Sequence, residues 1–124
     1  MKKIILTLIG ATLLTACQKE DKNGDLGGNW KLLQIEELNN NSVIDKRDED
    51  RFWAIQLDLI LIGNGKGRFQ HIDDSLFVQM IYKTHQPAEY GLYNQDNARY
   101  GIEHLSRKRM VLRCNDKELT FRKF

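Results

Sequence analysis

Phe52-Trp53-Ala54-Ile55-Gln56-Leu57-Asp58-Leu59-Ile60-Leu61-Ile62 is the stretch that decides the fold class. Apolar residues recur at every second position, which is the period of a β-strand and not the 3.6-residue period of a helix. The recurring positions are Trp53, Ile55, Leu57, Leu59 and Leu61. We predict one strand over residues 52–62. The sequence Gly63-Asn64-Gly65-Lys66-Gly67 follows it, and its residues accept the positive φ angles of a hairpin turn.

Other short segments on both sides of this stretch show the same strand-like pattern between turn signals. They are Trp30–Ile35, Arg68–Ile72, Leu76–Lys83, Arg99–Leu105, Arg109–Cys114 and Leu119–Lys123. We therefore predict an all-β chain of seven or eight strands. A small up-and-down antiparallel β-barrel is the expected architecture, because closure removes exposed sheet edges.

Two segments lack a strand pattern. Asn39–Arg51 is rich in Asn and then highly charged, and we expect a solvated loop or a short helix there. Thr84–Asn97 holds the single proline and carries aromatic residues. A loop of this kind either packs over the mouth of a barrel or is used for binding, and the sequence leaves both alternatives open.

The amino terminus has the pattern of a secretory signal. Two lysines precede the apolar segment Ile4–Ala16, which is too short to span a bilayer. Leu14-Thr15-Ala16-Cys17 resembles the lipobox of bacterial lipoproteins. This resemblance implies that residues 1–16 are a lipoprotein signal peptide, and that Cys17 becomes the first residue and carries diacylglycerol and palmitate. Two or three acyl chains hold a protein stably on a membrane.

Residues 17–27 are polar and contain glycine, which predicts a flexible tether. Gln18 stands where inner-membrane lipoproteins carry Asp, so outer-membrane sorting is favoured. Cys17-Gln18-Lys19-Glu20-Asp21 also resembles a signal for display on the cell surface, and a solvated polar tether is the alternative interpretation. With Cys17 lipidated, Cys114 has no disulfide partner. We expect Cys114 to be a small core residue.

Charge argues against a nucleic-acid partner. The chain has 19 basic and 17 acidic residues, and loss of Lys2 and Lys3 with the signal makes the mature chain neutral. The segment Arg99–Phe124 is nevertheless basic. It could meet acidic glycans or lipid headgroups, or simply complement the acidic half of the same barrel. We expect a monomer.

The first and last strands resemble those of lipocalins. Gly28-Asn29-Trp30 matches the glycine-x-tryptophan signature, and Leu119-Thr120-Phe121-Arg122-Lys123-Phe124 places an arginine on the last strand. The wider order is similar to small bacterial lipocalin-like lipoproteins, with Tyr100-Gly101-Ile102-Glu103-His104-Leu105-Ser106 followed by Met110-Val111-Leu112. The resemblance implies a lipocalin-like barrel domain over residues 28–124. It also implies that Arg122 packs on Trp30 and closes one barrel end.

Nothing in the sequence indicates catalysis, a cofactor or a metal site. His71, His85 and His104 are far apart, and none has a second ligand at metal-binding spacing. Glycine-rich residues 63–67 precede a strand pattern and not the helix of a phosphate loop. We predict a protein that is not an enzyme.

Two functions remain open. In the first, the barrel binds a small hydrophobic molecule, as the lipocalin resemblance implies. The predicted lining residues are Trp53, Leu57, Phe69, Met80 and Tyr100, and the predicted lid residues are Tyr90, Leu92 and Tyr93. In the second, the barrel is filled by its own side chains, and its surface binds an envelope protein, a glycan or a host factor. The candidate surfaces are the charged loop Asp45–Arg51 and the basic turn Arg107–Arg109.

Overall fold

The computed structural model describes residues 23–124. The predicted signal peptide, Cys17 and residues 17–22 of the tether lie outside the described residues. The described chain forms nine strands: β1 (Gly28–Glu37), β2 (Ser42–Asp45), β3 (Phe52–Gln56), β4 (Leu59–Ile62), β5 (Gly65–Ile72), β6 (Ser75–Tyr82), β7 (Ala98–Leu105), β8 (Arg109–Cys114) and β9 (Lys117–Lys123). Two short 3₁₀ turns accompany them, Gly24–Leu26 and Pro87–Tyr90.

The strands form one closed antiparallel barrel. They follow the order β2-β1-β3-β4-β5-β6-β7-β8-β9, and β9 pairs back onto β1. One edge of β1 is occupied by β9, while β3 and β2 share the other edge, β3 at residues 28–31 and β2 at residues 34–37. The closed barrel is therefore eight strands around, with β2 extending the position of β3. The prediction of an all-β, up-and-down antiparallel barrel is confirmed.

The quoted stretch forms two strands and not one. Its central residues, Leu57 and Asp58, make the turn between β3 and β4, and Leu57 has φ of 51°. Ile55 pairs directly with Ile60, so both point inward, and the buried set changes from odd to even positions. Leu59 and Leu61 consequently face outward. The predicted two-residue period is correct within each strand. The two-residue turn at Leu57-Asp58 does not interrupt the apolar pattern in the sequence, but it moves the buried side chains from odd-numbered to even-numbered positions.

Inward-facing side chains fill the barrel. The largest fully buried ones are Trp30, Trp53, Tyr100 and Phe121. The ring of Trp53 lies between two others, with centroids 5.4 Å from Tyr100 and 4.9 Å from Phe121. Cys114, expected to be a small core residue, is half-buried and packs against this core.

The barrel has two distinct ends. The chain enters at the end that carries the Gly24–Leu26 turn and the β3–β4, β5–β6 and β7–β8 turns, which we call the tether end. Leu26 is fully buried, so the fold begins before residue 28 and takes in the last part of the predicted tether. The opposite end, the mouth, carries the loop 83–97. In residues 23–124 the structure contains no helix of the length and hydrophobicity that a membrane span requires.

Candidate ligand site

The tether end is closed by Trp30 and Lys123. The indole Nε1–H of Trp30 donates a hydrogen bond to the Leu26 carbonyl oxygen at 2.8 Å. The Lys123 ammonium lies 4.7 Å from the centroid of the Trp30 ring and donates to the Asp25 carbonyl oxygen at 2.8 Å. The cation over the indole and the two hydrogen bonds join the entering chain to the last strand.

Arg122 was predicted to pack on Trp30, and this prediction is wrong by one position, because the neighbouring residue Lys123 packs there. Trp30 pairs directly with Lys123 across β1 and β9, whereas Arg122 pairs with Lys31 and faces solvent. Because side chains alternate along a strand, a shift of one residue moves a side chain to the other face of the sheet. Gly28 explains the close approach of Lys123: its φ is 124°, and a Cβ there would lie 3.3 Å from Cε of Lys123.

The predicted lining residues separate into three groups. Trp53, Met80 and Tyr100 are buried inside the barrel, where they belong to the packed core. Phe69 is partly buried and packs against the edge of that core. Leu57 is 60% exposed at the β3–β4 turn, so its predicted place inside the barrel is wrong, because the turn reverses the chain at this residue.

The loop 83–97 plugs the mouth. Leu92 is 0% exposed and is part of the core cluster, while Tyr90 is half-buried and Tyr93 is 38% exposed. The indole of Trp53 donates to the Tyr90 carbonyl oxygen at 2.9 Å, and the Tyr100 hydroxyl donates to the Gly91 carbonyl oxygen at 2.8 Å. Of the two alternatives left open for this loop, the structure has it packed over the mouth.

Gly91 allows the loop 83–97, which we call the plug, to pack closely into the mouth. Its φ is 79°, a conformation that side-chain-bearing residues rarely adopt. A Cβ at this position would lie 2.1 Å from Cδ2 of Leu119 on β9. The loop backbone therefore touches the barrel wall directly, and any larger residue would lift it away.

Charged groups fasten the plug from outside. The Glu89 carboxylate lies 3.2 Å from the ammonium of Lys46, which is only 4% exposed, and 3.6 Å from the Arg51 guanidinium. Arg51 also lies over the Tyr90 ring at 5.0 Å. Hydrogen bonds to Tyr90 and Glu49 raise the pKa of Arg51, and the bond to Arg51 lowers the pKa of Glu49. Part of the charged loop 45–51 thus holds the plug.

Full or partial burial raises the pKa of Tyr100, Tyr93 and Cys114. Loss of solvent raises the pKa of Tyr100 well above its ordinary value and raises the pKa of Tyr93 to about 12. It also raises the pKa of the Cys114 thiol, which disfavours the reactive thiolate. Among residues 23–124, no group of three or more His, Cys, Asp or Glu side chains is placed to hold a metal ion.

A broad open groove of about 1110 Å³ lies on the outside of the barrel. Its floor is formed mostly by outward-facing positions of β4, β5 and β6, and residues 96–97 form one side. The lining includes Leu57, Leu59, Arg68, Phe69, Gln70, Phe77, Gln79, Asp96 and Asn97. Sequence reasoning missed this groove because it predicted one strand over residues 52–62 and placed Leu57 among the residues that line the barrel interior. If Leu57-Asp58 had been recognised as a turn, Leu59 would have been predicted to face outward.

Known proteins show the same architecture. A family model described as a lipocalin-like domain matches residues 12–124. A lipocalin-like protein from Bacteroides uniformis superposes with a TM-score of 0.68 at 18% identity, covering 82% of this chain and 100% of its own. An uncharacterized protein from Bacteroides eggerthii superposes with a TM-score of 0.64 at 15% identity, covering 79% and 98%. No curated protein matches the sequence.

Proposed function

The chain belongs to the family of lipocalin-like domains, and from that premise we propose that it is a lipid-anchored envelope lipoprotein with a filled barrel. It binds a protein or glycan partner through its outer surface. The groove over β4, β5 and β6 is the candidate contact region, because it combines exposed apolar side chains with charged and amide groups.

One observation carries this proposal: Leu92 occupies the mouth with no exposed surface. Its loop is hydrogen-bonded to Trp53 and Tyr100, two of the residues that would otherwise line a ligand cavity. A drug-sized ligand needs roughly 300 Å³ or more of space, so it would have to displace this plug.

The test combines native mass spectrometry with titration of an apolar fluorescent fatty acid. The full chain carries Cys17→Ser, so that no covalent lipid contributes. A filled barrel predicts no stoichiometric adduct and no saturable interior binding. A defined adduct that survives Leu59→Asp in the groove but changes with Leu92→Ala in the mouth would contradict the proposal.

A second candidate is binding of a small hydrophobic molecule inside the barrel. It is favoured by how the plug is built: one buried apolar side chain, Leu92, three hydrogen bonds to its backbone, from Trp53, Tyr100 and the Met80 amide of the barrel, and a set of ion pairs at Glu89. Displacement of the plug would uncover Trp53, Met80 and Tyr100. On this alternative Leu92→Ala tightens binding of the fatty acid, since the open state becomes more populated.

The membrane anchor is proposed from the lipobox that ends at Cys17. It is supported by the barrel, which receives its chain at one end and leaves that end free of the plug. Metabolic labelling with an alkyne analogue of palmitate tests the anchor. Labelled wild type and unlabelled Cys17→Ser are expected, and equal labelling of both would refute lipidation at this residue.

Outer-membrane location and cell-surface display are proposed from Gln18 and the acidic pair that follows Lys19. Protease added to intact cells should then degrade the protein. Complete protection in intact cells, with degradation after lysis, would instead assign it to the periplasmic leaflet.

A further inference from the structure

A row of side chains crosses four neighbouring strands on the outside of the barrel. Phe52 on β3 lies opposite Lys31 on β1, Lys31 lies opposite Arg122 on β9, and Arg122 lies opposite Arg109 on β8. Each of these residues is next to at least one buried residue on its strand and lies on the outer face, where Arg122 and Arg109 are exposed and Lys31 and Phe52 are partly exposed. With strands about 4.8 Å apart, the row is roughly 15 Å long. We call it the basic row.

The basic row places like charges side by side. Lys31, Arg122 and Arg109 stand in direct register, and within residues 23–124 none of them forms an ion pair with an acidic side chain. Like charges directly opposite each other on a sheet are destabilising. Packing does not explain this arrangement, whereas an anionic partner outside the protein would neutralise it.

An exposed aromatic group extends the row. Phe124 is 75% exposed and packs edge-on against Phe52, with ring centroids 5.3 Å apart. Lysine and arginine beside exposed aromatic residues are the composition of surfaces that lie on anionic membranes. A soluble phosphate-containing ligand would use the charges but not the exposed ring.

The basic row lies at the tether end of the barrel, where the entering chain contacts the last strand. Lys123, next to Arg122, bonds to the Asp25 carbonyl oxygen, and the Phe124 amide donates to the Asn29 carbonyl oxygen at 2.9 Å. Cys17 precedes Asn23 by six positions, and six extended residues reach at most about 20 Å. A lipid on Cys17 would therefore hold the row within reach of the bilayer surface.

The same end of the barrel is acidic on its other side. Asp58 lies in the β3–β4 turn, and Asp73 and Asp74 lie in the β5–β6 turn. Arg107 and Lys108, in the β7–β8 turn, are exposed and continue the basic side. Near an anionic surface this asymmetry favours one orientation, in which the β8, β9 and β1 side approaches the lipid.

We propose that the basic row, with Phe124, docks the barrel on the anionic phospholipid headgroups of its own membrane. The orientation rests on the proposed lipid anchor at Cys17. The charge contacts themselves do not, so they can be measured without the anchor.

The test is vesicle sedimentation with the full chain carrying Cys17→Ser. The vesicles contain phosphatidylcholine alone or three parts phosphatidylcholine to one part phosphatidylglycerol. The test variant is Lys31→Gln with Arg122→Gln. The matched control is Lys66→Gln with Arg68→Gln, which removes one lysine and one arginine from outward positions of β5, three strands from β1. The amino-terminal segment is identical in all proteins and contributes equally.

We expect wild type to prefer the anionic vesicles, with a preference that falls as salt is added. The test variant should lose about fivefold in partitioning for each charge removed, and the control much less. Equal losses in the two variants would show a net-charge effect only and overturn the proposal. No preference for anionic vesicles, or binding to an acidic polysaccharide without binding to vesicles, would overturn it too. Vesicle binding without palmitate labelling of Cys17 would refute the anchor alone.

Discussion

Single positions decide both how the barrel is closed and where it turns. Lys123 and Arg122 are neighbours on β9 with opposite environments, one over the Trp30 ring and one in solvent. Leu57 is an apolar residue in an apolar run, yet it has a positive φ and an exposed side chain. At this scale, the direction in which a side chain points matters more than its hydrophobicity.

The closure predicts unequal roles for the two basic neighbours. Lys123→Ala removes the contact with Trp30 and the bond to the Asp25 carbonyl oxygen. We expect it to lower the free energy of unfolding by about 1–2 kcal/mol. Arg122→Ala should change it by less than about 0.5 kcal/mol. Urea denaturation measures both changes. A larger loss of stability for Arg122→Ala than for Lys123→Ala would indicate that Arg122, and not Lys123, closes the barrel over Trp30.

The turn predicts a stabilising substitution. Leu57 has φ of 51°, which is unfavourable for a side-chain-bearing residue by roughly 1 kcal/mol. Leu57→Gly should therefore raise the free energy of unfolding by up to about 1 kcal/mol. Leu59→Gly, two residues later within β4, should lower it by about 0.5–1 kcal/mol, because glycine weakens a strand. Thermal unfolding of the pair checks the sign, and destabilisation by Leu57→Gly would contradict the turn.

The loop 83–97 is the element that separates a filled barrel from an open one. It reaches the core through Leu92, touches the wall at Gly91 and is fastened outside by Glu89. A loop of this kind opens locally at a smaller free energy than the barrel unfolds. This one loop therefore determines whether the interior of the barrel is covered.

Gly91→Ala is expected to unseat the plug. The added Cβ meets Leu119 at 2.1 Å and has to adopt a φ of 79°. Overpacking and backbone strain together predict a loss of roughly 2–4 kcal/mol in the free energy of unfolding.

The matched control for the plug is Gly24→Ala. Gly24 also has a positive φ, but a Cβ added to it would have no other atom within 4 Å. Only the backbone strain remains there, about 1 kcal/mol. Hydrogen exchange of residues 84–97 should rise in Gly91→Ala alone, and equal exchange in both variants would argue against a seated plug.

At the scale of the molecule, closure of β9 onto β1 joins the first and last strands and buries one continuous core. Buried Tyr100 and partly exposed Tyr93 couple the stability of the barrel to alkaline pH. Tyr93 has a pKa of about 12 in the folded protein, and burial raises the pKa of Tyr100 well above its ordinary value. Both hold their protons more tightly when folded than when unfolded.

The sign of the pH dependence follows from linkage. The unfolded chain releases tyrosine protons near pH 10, while the folded chain retains them, so stability is full below about pH 10 and falls as pH rises toward 12. The urea midpoint should decrease over this range. Tyr100→Phe should flatten the decrease, whereas Tyr82→Phe, at a residue 66% exposed, should not. An identical slope in wild type and Tyr100→Phe would contradict this account.

The sequence alone determined the all-β class and most strand positions, whereas the closure of Trp30 by a cation on the last strand was implied by the lipocalin resemblance, which named Arg122 and not Lys123. Period and turn residues are local properties, so they can be read from a chain. Tertiary structure decided what depends on register. The turn at Leu57 made Ile60 and Ile62 the buried residues of β4 in place of Leu59 and Leu61. The pairing of Trp30 with Lys123 placed Lys123 over the indole and left Arg122 in solvent.

The tertiary structure also decided the state of the mouth and the outer surface. Leu92 became core because Gly91 could approach Leu119, a contact between residues far apart in sequence. Lys31, Arg109 and Arg122 became one row because closure brought β1, β8 and β9 together. The chemistry of each residue is written in the sequence, but which residues share a face depends on how strands pair, and a shift of one residue is enough to change it.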